Sequence, residues 1–279
     1  IEGAGGGQVV GPMSAGEADR RLLDIDRERR QAMGLPPRPE GPPSTGSANQ
    51  GGDMDIGMIA NLAIEYIKYN KDVSEVYSPP RVCSTALKVG LDPGTSFDLT
   101  EVDPIDRKPW DFVDPQKRER ARDRINREKP FLLIGSPPCR SFNSLFASNM
   151  SRMDPEQVKQ IVAEGRIHME FCIELYREQL RNGRYFLHEH PAYASSWQTD
   201  IIEGMMKDPS VIRVTADQCM YGLETRTDDG GTAPALNPTR FLTNSEPMAK
   251  LLRRRCDKSH VHQALVSGRC ADAAFYPLP

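Results

Sequence analysis

Apolar residues recur along this chain in two periods that take turns. Residues 56–69 set Ile56, Ile59, Ala60, Ala63, Ile64 and Ile67 on one stripe, the three-to-four spacing of an amphipathic helix. Short apolar runs at 74–77, 96–99, 109–112, 131–134, 184–188, 211–216 and 240–243 read instead as strands. Between them lie helical stretches at 81–89, 115–129, 155–180, 194–207 and 247–255. Their boundaries carry chemical signals. Asp114-Pro115 and Asp154-Pro155 each put a capping carboxylate before a proline at the first helical position, while Gly90 and Asn182-Gly183 close helices. Strands alternating with helices of this length predict an α/β fold, a doubly wound and mostly parallel sheet with right-handed crossovers.

Composition limits how far that domain extends. Residues 1–16 are Gly-rich and residues 35–53 are rich in Pro, Gly and Ser, a composition that cannot bury enough apolar surface to order itself. The segment 16–35 between them is charged and carries leucines, a candidate short helix for docking a protein partner. The expected organisation is a flexible arm over 1–53 and an α/β domain over 54–279. A start at Ile1 in place of Met reads as a fragment or a product cut from a longer precursor. No run approaches the roughly 18 apolar residues of a membrane span. The six cysteines contain no CxxC pair and predict reduced thiols in an intracellular protein, nucleus or cytoplasm. A net charge of −3 gives no global basic field, although residues 117–127 and the run Arg253, Arg254 and Arg255 are locally basic. Cys83 and Cys172 fall on apolar helix faces and are expected in the core.

The chemistry gathers where predicted strands end, which in an open α/β sheet is where ligands bind. Tyr77-Ser78-Pro79-Pro80-Arg81 follows the first strand and Asp98 ends the second. Asp111 lies near the third, and Ser136-Pro137-Pro138-Cys139 follows the fourth. His188-Glu189-His190-Pro191 ends the fifth, Asp217-Gln218-Cys219 the sixth, and a loop with Arg226 comes next. Two prolines fix the approach to Cys139 and present its thiol as a candidate nucleophile.

Over most of residues 73–245 this order resembles the cytosine-5 DNA methyltransferase family, and more loosely the methyltransferase-like domains of retroelement polyproteins. The resemblance implies a Rossmann-like methyltransferase fold and S-adenosylmethionine as cofactor. It implies that Tyr77, Ser78 and Pro137 line the cofactor site, that Asp98 holds the ribose and that Asp111 lies by the adenine. Cys139 would attack C6 of a cytosine, Glu189 would hydrogen-bond N3 and the exocyclic amine, and Arg226 would steady the base. The partner implied is nucleic acid, DNA ahead of RNA, with the base turned out of its stack to expose C6.

The same residues have plainer readings. Glu189 between two histidines also suits a buried hydrogen-bonded network, Asp98 a turn or cap, and Arg226 a solvated charge. Tyr77-Ser78-Pro79-Pro80-Arg81 stands where the family carries glycines, and residues 227–237 leave no room for a target-recognition domain. A methyltransferase-like interaction or nucleic-acid-binding module without catalysis is therefore the alternative, and a thiol hydrolase using Cys139 with His188 or His190 a third. Separately, Cys256, His260, His262 and Cys270 form a candidate zinc site, with Cys219 as another source of the fourth ligand. Its plain reading is a polar turn whose histidines cap the preceding helix or face solvent.

Overall fold

The computed structural model describes residues 70–266 and 269, so the expected arm over 1–53, the helix at 56–69 and Cys270 lie outside the described residues. The described residues fall into two units: 99–110, and 70–98 together with 111–266 and 269.

The larger unit is built on one six-stranded sheet. In chain order its elements are β1 (Lys71–Val76), α1 (Val82–Lys88), β2 (Pro93–Phe97), α2 (Pro115–Glu128), β3 (Pro130–Gly135), α3 (Ser144–Asn149) and α4 (Pro155–Arg181). Then follow β4 (Tyr185–Pro191), α5 (Asp200–Met205), β5 (Ile212–Asp217), β6 (Glu224–Arg226), β7 (Thr232–Pro234), β8 (Pro238–Thr243) and α6 (Glu246–Leu251). The strand order is β2-β1-β3-β4-β8-β5, with β6 and β7 making a separate two-stranded hairpin. Strands β2, β1, β3 and β4 pair in parallel, whereas β8 runs antiparallel to both β4 and β5. The sheet is mixed and mostly parallel, as the alternating pattern predicted.

The chain leaves β1 toward β2 on one side and enters β3 on the other, so the order reverses between β1 and β3. That reversal leaves a crevice at the carboxyl ends of these two strands. Close packing there depends on Gly135 at the end of β3. A Cβ on it would lie 2.0 Å from Oη of Tyr176, which α4 lays flat on the sheet. Tyr176 is fully buried, stacks on Phe186 with centroids 4.7 Å apart, and shares its face of the sheet with Leu133 and Val76. Cys83 and Cys172 are buried, as their apolar neighbours predicted.

Local signals held where they were chemical. Asp114 and Asp154 cap α2 and α4 through the N–H groups of Gln116 and Glu156. Other boundaries moved. The run at 109–112 is no strand: within the smaller unit, Pro109 makes only an isolated bridge with Val102. The expected helix at 194–207 divides into a 3-10 turn, Ser195–Gln198, and α5, because Thr199 turns extended and caps α5 through Ile202 N–H. The last helix stops at Leu251, four residues short of the expected end. Helix α3, of six residues, and the β6–β7 hairpin, with strands of three residues each, have no counterpart in the sequence pattern, because such short elements set no period.

Candidate functional site

Three loops meet the carboxyl edge beside the switch between β1 and β3. The first, after β1, begins at Tyr77, which takes a left-handed φ of 59°. Its N–H donates to Phe97 O (2.8 Å), and its ring packs edge-on to Phe112 at 4.9 Å and His168 at 5.2 Å. Tyr77 Oη lies 3.0 Å from His168 Nδ1. Burial, then the Cys172 thiol, pushes the phenol well above its usual value, so it is a hydroxyl throughout the physiological range.

The rest of that loop has few donors to offer. Pro79 and Pro80 have no N–H, and Arg81 N–H is turned back to Pro79 O (2.6 Å). The first N–H groups of α1 are taken as well. Glu75, fully buried on β1, accepts from Cys83 N (3.0 Å), Val82 N (3.3 Å) and Ser96 Oγ (3.0 Å). Among the described residues, Ser78 N–H makes no backbone hydrogen bond within this loop.

The second loop carries Cys139. After Gly135, Ser136 N–H still donates to Val76 O (3.2 Å), and the chain then rises through Pro137 and Pro138 to Cys139. Cys139 is half-buried at φ −89° and ψ 0°, and it opens the 3-10 turn Arg140–Phe142. That turn is pinned from two sides. A Cβ on Gly165 of α4 would meet Ser141 Oγ at 1.9 Å, and Phe142 O accepts from Ser195 Oγ (3.3 Å). Cys139 therefore sits on a braced turn at the switch-point edge, just after β3.

The third loop ends β4. Gly135 pairs with His188, which brings Glu189 and His190 level with the residues leading to Cys139. Alternation along the strand separates their faces: His188 and His190 point toward α4, Glu189 away from it. Both histidines are buried and stacked, with centroids 5.7 Å apart. His188 Nδ1 lies 3.2 Å from Tyr176 Oη, and His190 Nδ1 lies 2.8 Å from Ser196 Oγ. Burial pushes the His188 ring well below its usual value, with His190 adding to the effect. Burial also lowers His190 to about 4, partly countered by the Pro137 carbonyl. Both are neutral imidazoles at pH 7. His188 and His190 thus form buried contacts with Tyr176 and Ser196, and the half-buried Glu189 between them in sequence pairs with Phe241 of β8.

Of the other expected residues, Asp98 and Asp111 lie near Tyr77, Asp98 next to the Phe97 whose carbonyl accepts from Tyr77 N–H and Asp111 close enough for its charge to act on the Tyr77 phenol, whereas Arg226 lies apart. Asp98 is half-buried just beyond β2. Asp111 is exposed and accepts from Val113 N–H (3.0 Å), a local turn bond. Arg226 is exposed on the β6–β7 hairpin, outside the main sheet.

A second constellation lies past the end of β5. Ligand atoms of Cys219, Cys256, His260 and His262 all fall within 4.8 Å of one another, a group that could hold a metal ion. Cys256 Sγ lies 3.4 Å from His262 Nε2 and 3.7 Å from His260 Nε2, and accepts from Lys258 N–H (3.3 Å). Asp217 aims the segment: its Oδ2 accepts from Cys256 N and Arg255 Nε, each at 2.8 Å. Gln263 N–H then ties the chain to Pro234 O of β7 (2.9 Å). Burial and the neighbouring Cys256 raise the Cys219 thiol to about 11. The fourth member is Cys219, from the loop after β5. Cys219 stands 37 positions before Cys256, so linear spacing gave no reason to prefer it over Cys270.

No protein-family model matches this chain, and no curated protein matches it. Among the described residues, no helix is long and apolar enough to cross a membrane.

Proposed function

We propose that this chain is a methyltransferase-like α/β module that holds a cytosine base of nucleic acid, DNA ahead of RNA, against Cys139 without turning over a methyl donor. The observation that carries the reading is the place of Cys139: a braced thiol at the switch-point edge, with Glu189 on the neighbouring strand. A thiolate there adds to C6 of the pyrimidine, and N3 takes the proton that Glu189 carries. With nothing to intercept C5, the S–C6 bond breaks again, the proton returns, and the base leaves unchanged.

The residues after β1 do not fit S-adenosylmethionine. Close approach of a cofactor to such a loop relies on backbone N–H groups and small residues. Here two prolines lack N–H groups, Tyr77 and Arg81 spend theirs within the fold, and Glu75 occupies those of α1. No methyl-transfer step is therefore assigned. The Cys219, Cys256, His260 and His262 group is assigned to zinc, whose preference for four Cys and His ligands it matches; with all four positions filled by protein, the role is structural.

The test pairs two measurements on the full chain. Duplex DNA carrying 2-pyrimidinone in place of one cytosine should form a covalent adduct with the wild-type chain and none with Cys139→Ser. Calorimetry should give no heat with S-adenosylmethionine. Binding of that cofactor, lost in Asp98→Ala, would overturn the donor-free reading in favour of an active methyltransferase. An adduct that persists in Cys139→Ser would remove the thiol from its role.

A further inference from the structure

We infer that Arg213, Arg240 and Arg255, gathered on one face at the β5–β8 margin of the sheet, seat the phosphate backbone of the nucleic acid whose base reaches Cys139. The inference rests on the nucleic-acid reading above and adds the surface that holds the strand.

The placement follows from register. On β8, Arg240 stands opposite Thr215, and on β5, Arg213 stands opposite Leu242, so the two arginines are diagonal neighbours across an antiparallel pair. Period-two alternation puts Arg213, Thr215 and Asp217 on one face of β5, with Val214 and Ala216 packed on the other against Ala249 of α6. Asp217 then draws Arg255 to the end of that row through its 2.8 Å contact with Arg255 Nε. The adjoining members of the basic run are engaged elsewhere: Arg253 pairs with Glu246 (3.6 Å), and Arg254 lies over the Tyr221 ring (5.3 Å).

The row is unbalanced in charge. Among the described residues neither Arg213 nor Arg240 forms an ion pair, and the one acid in the row, Asp217, is already spent on Arg255. Arg240 lies 5.4 Å over the Trp197 ring, which fixes its guanidinium without neutralising it. Partial burial, and then Arg213 and Arg255, hold Arg240 below its usual value. Three arginines with one carboxylate among them leave a surplus of positive charge, on a chain of net charge −3, that an anion relieves. A phosphate backbone suits the site better than a single anion, because the charges run along the sheet margin. The row also opens onto the reactive edge. Arg240 pairs with His190, two residues from which begins the loop holding Tyr193, 80% exposed and placed to stack on a base.

Fluorescence anisotropy with a short labelled duplex, repeated over a salt series, reads this directly. Each phosphate contact contributes roughly 0.9 to the slope of log affinity against log salt. Arg213→Ala and Arg240→Ala should each lower the slope by about that amount, and the double variant by about twice as much. Arg240→Lys, which keeps the charge, should keep the slope. Arg181→Ala, at the far end of α4, should change nothing. Arg213 is exposed, so its variant tests the site even where Arg240→Ala loosens Trp197. Unchanged slopes in both alanine variants, with the wild-type chain still binding, would overturn the arginine row alone. A wild-type chain that binds neither DNA nor RNA would overturn the nucleic-acid reading and the row with it.

Discussion

Gly135→Ala tests the packing on which the whole reactive edge depends. The added Cβ would lie 2.0 Å from Tyr176 Oη, 3.1 Å from Tyr176 Cζ and 3.1 Å from Val76 Cγ1. The last two contacts yield with shifts of a few tenths of an ångström, but the first cannot. Tyr176 is fully buried and its hydroxyl faces His188 Nδ1 at 3.2 Å, so the ring must move and that contact must break. Overpacking costs about 1–3 kcal/mol. A buried hydroxyl and imidazole left apart cost about 1–3 kcal/mol more. Replacing glycine within a strand returns roughly 0.5–1 kcal/mol. The expected net loss is about 1–5 kcal/mol, read as a lower urea midpoint and a melting temperature lower by about 2–20 °C. Tyr176→Phe removes the clashing oxygen, so the double variant should be at least about 1 kcal/mol more stable than the two single losses predict. A loss below about 1 kcal/mol for Gly135→Ala, or strict additivity in the double variant, would refute the close approach of α4 to β3.

Acid should loosen the same region. His188 and His190 are held below the usual 6.5, His190 at about 4, so between these values the unfolded chain binds protons that the folded chain refuses. Stability is then full above about pH 6.5 and declines as pH falls toward 4; His190→Gln should flatten that decline in urea titrations across the range. Glu75→Gln turns an amide N–H toward donors that now meet a carboxylate, and should cost about 1–3 kcal/mol with faster amide exchange at the start of α1. Metal analysis should find about one zinc per chain, retained in Cys270→Ser and lost in Cys219→Ser. Chelation should remove up to about 4 kcal/mol where metal stands a thousandfold above its Kd, seen as a lower melting temperature; retention of zinc by Cys219→Ser would refute the ligand set.

The alternation of strands and helices, the two Asp-Pro helix starts and the Pro-Pro turn before Cys139 are legible in the chain's own residues. Each of these rests on interactions within a few residues: an Asp carboxylate reaching an N–H two positions on, or two prolines fixing a loop. His188 and His190 were visible as chemistry, but their roles were not, since strand alternation turns them from Glu189 and only α4 supplies the burial that keeps them neutral. Glu75 gives no signal in the sequence, because nothing within a few residues shows that its carboxylate will cap α1. Cys219 meets Cys256, His260 and His262 only because β8 inserts between β4 and β5 and brings the chain back across the end of β5. The arginine row has the same origin: Arg213, Arg240 and Arg255 are far apart in the chain and adjacent only through antiparallel register and one bond to Asp217. Local chemistry is written in neighbouring residues, whereas clusters of charge and of metal ligands are written in strand order, which no short window of sequence contains.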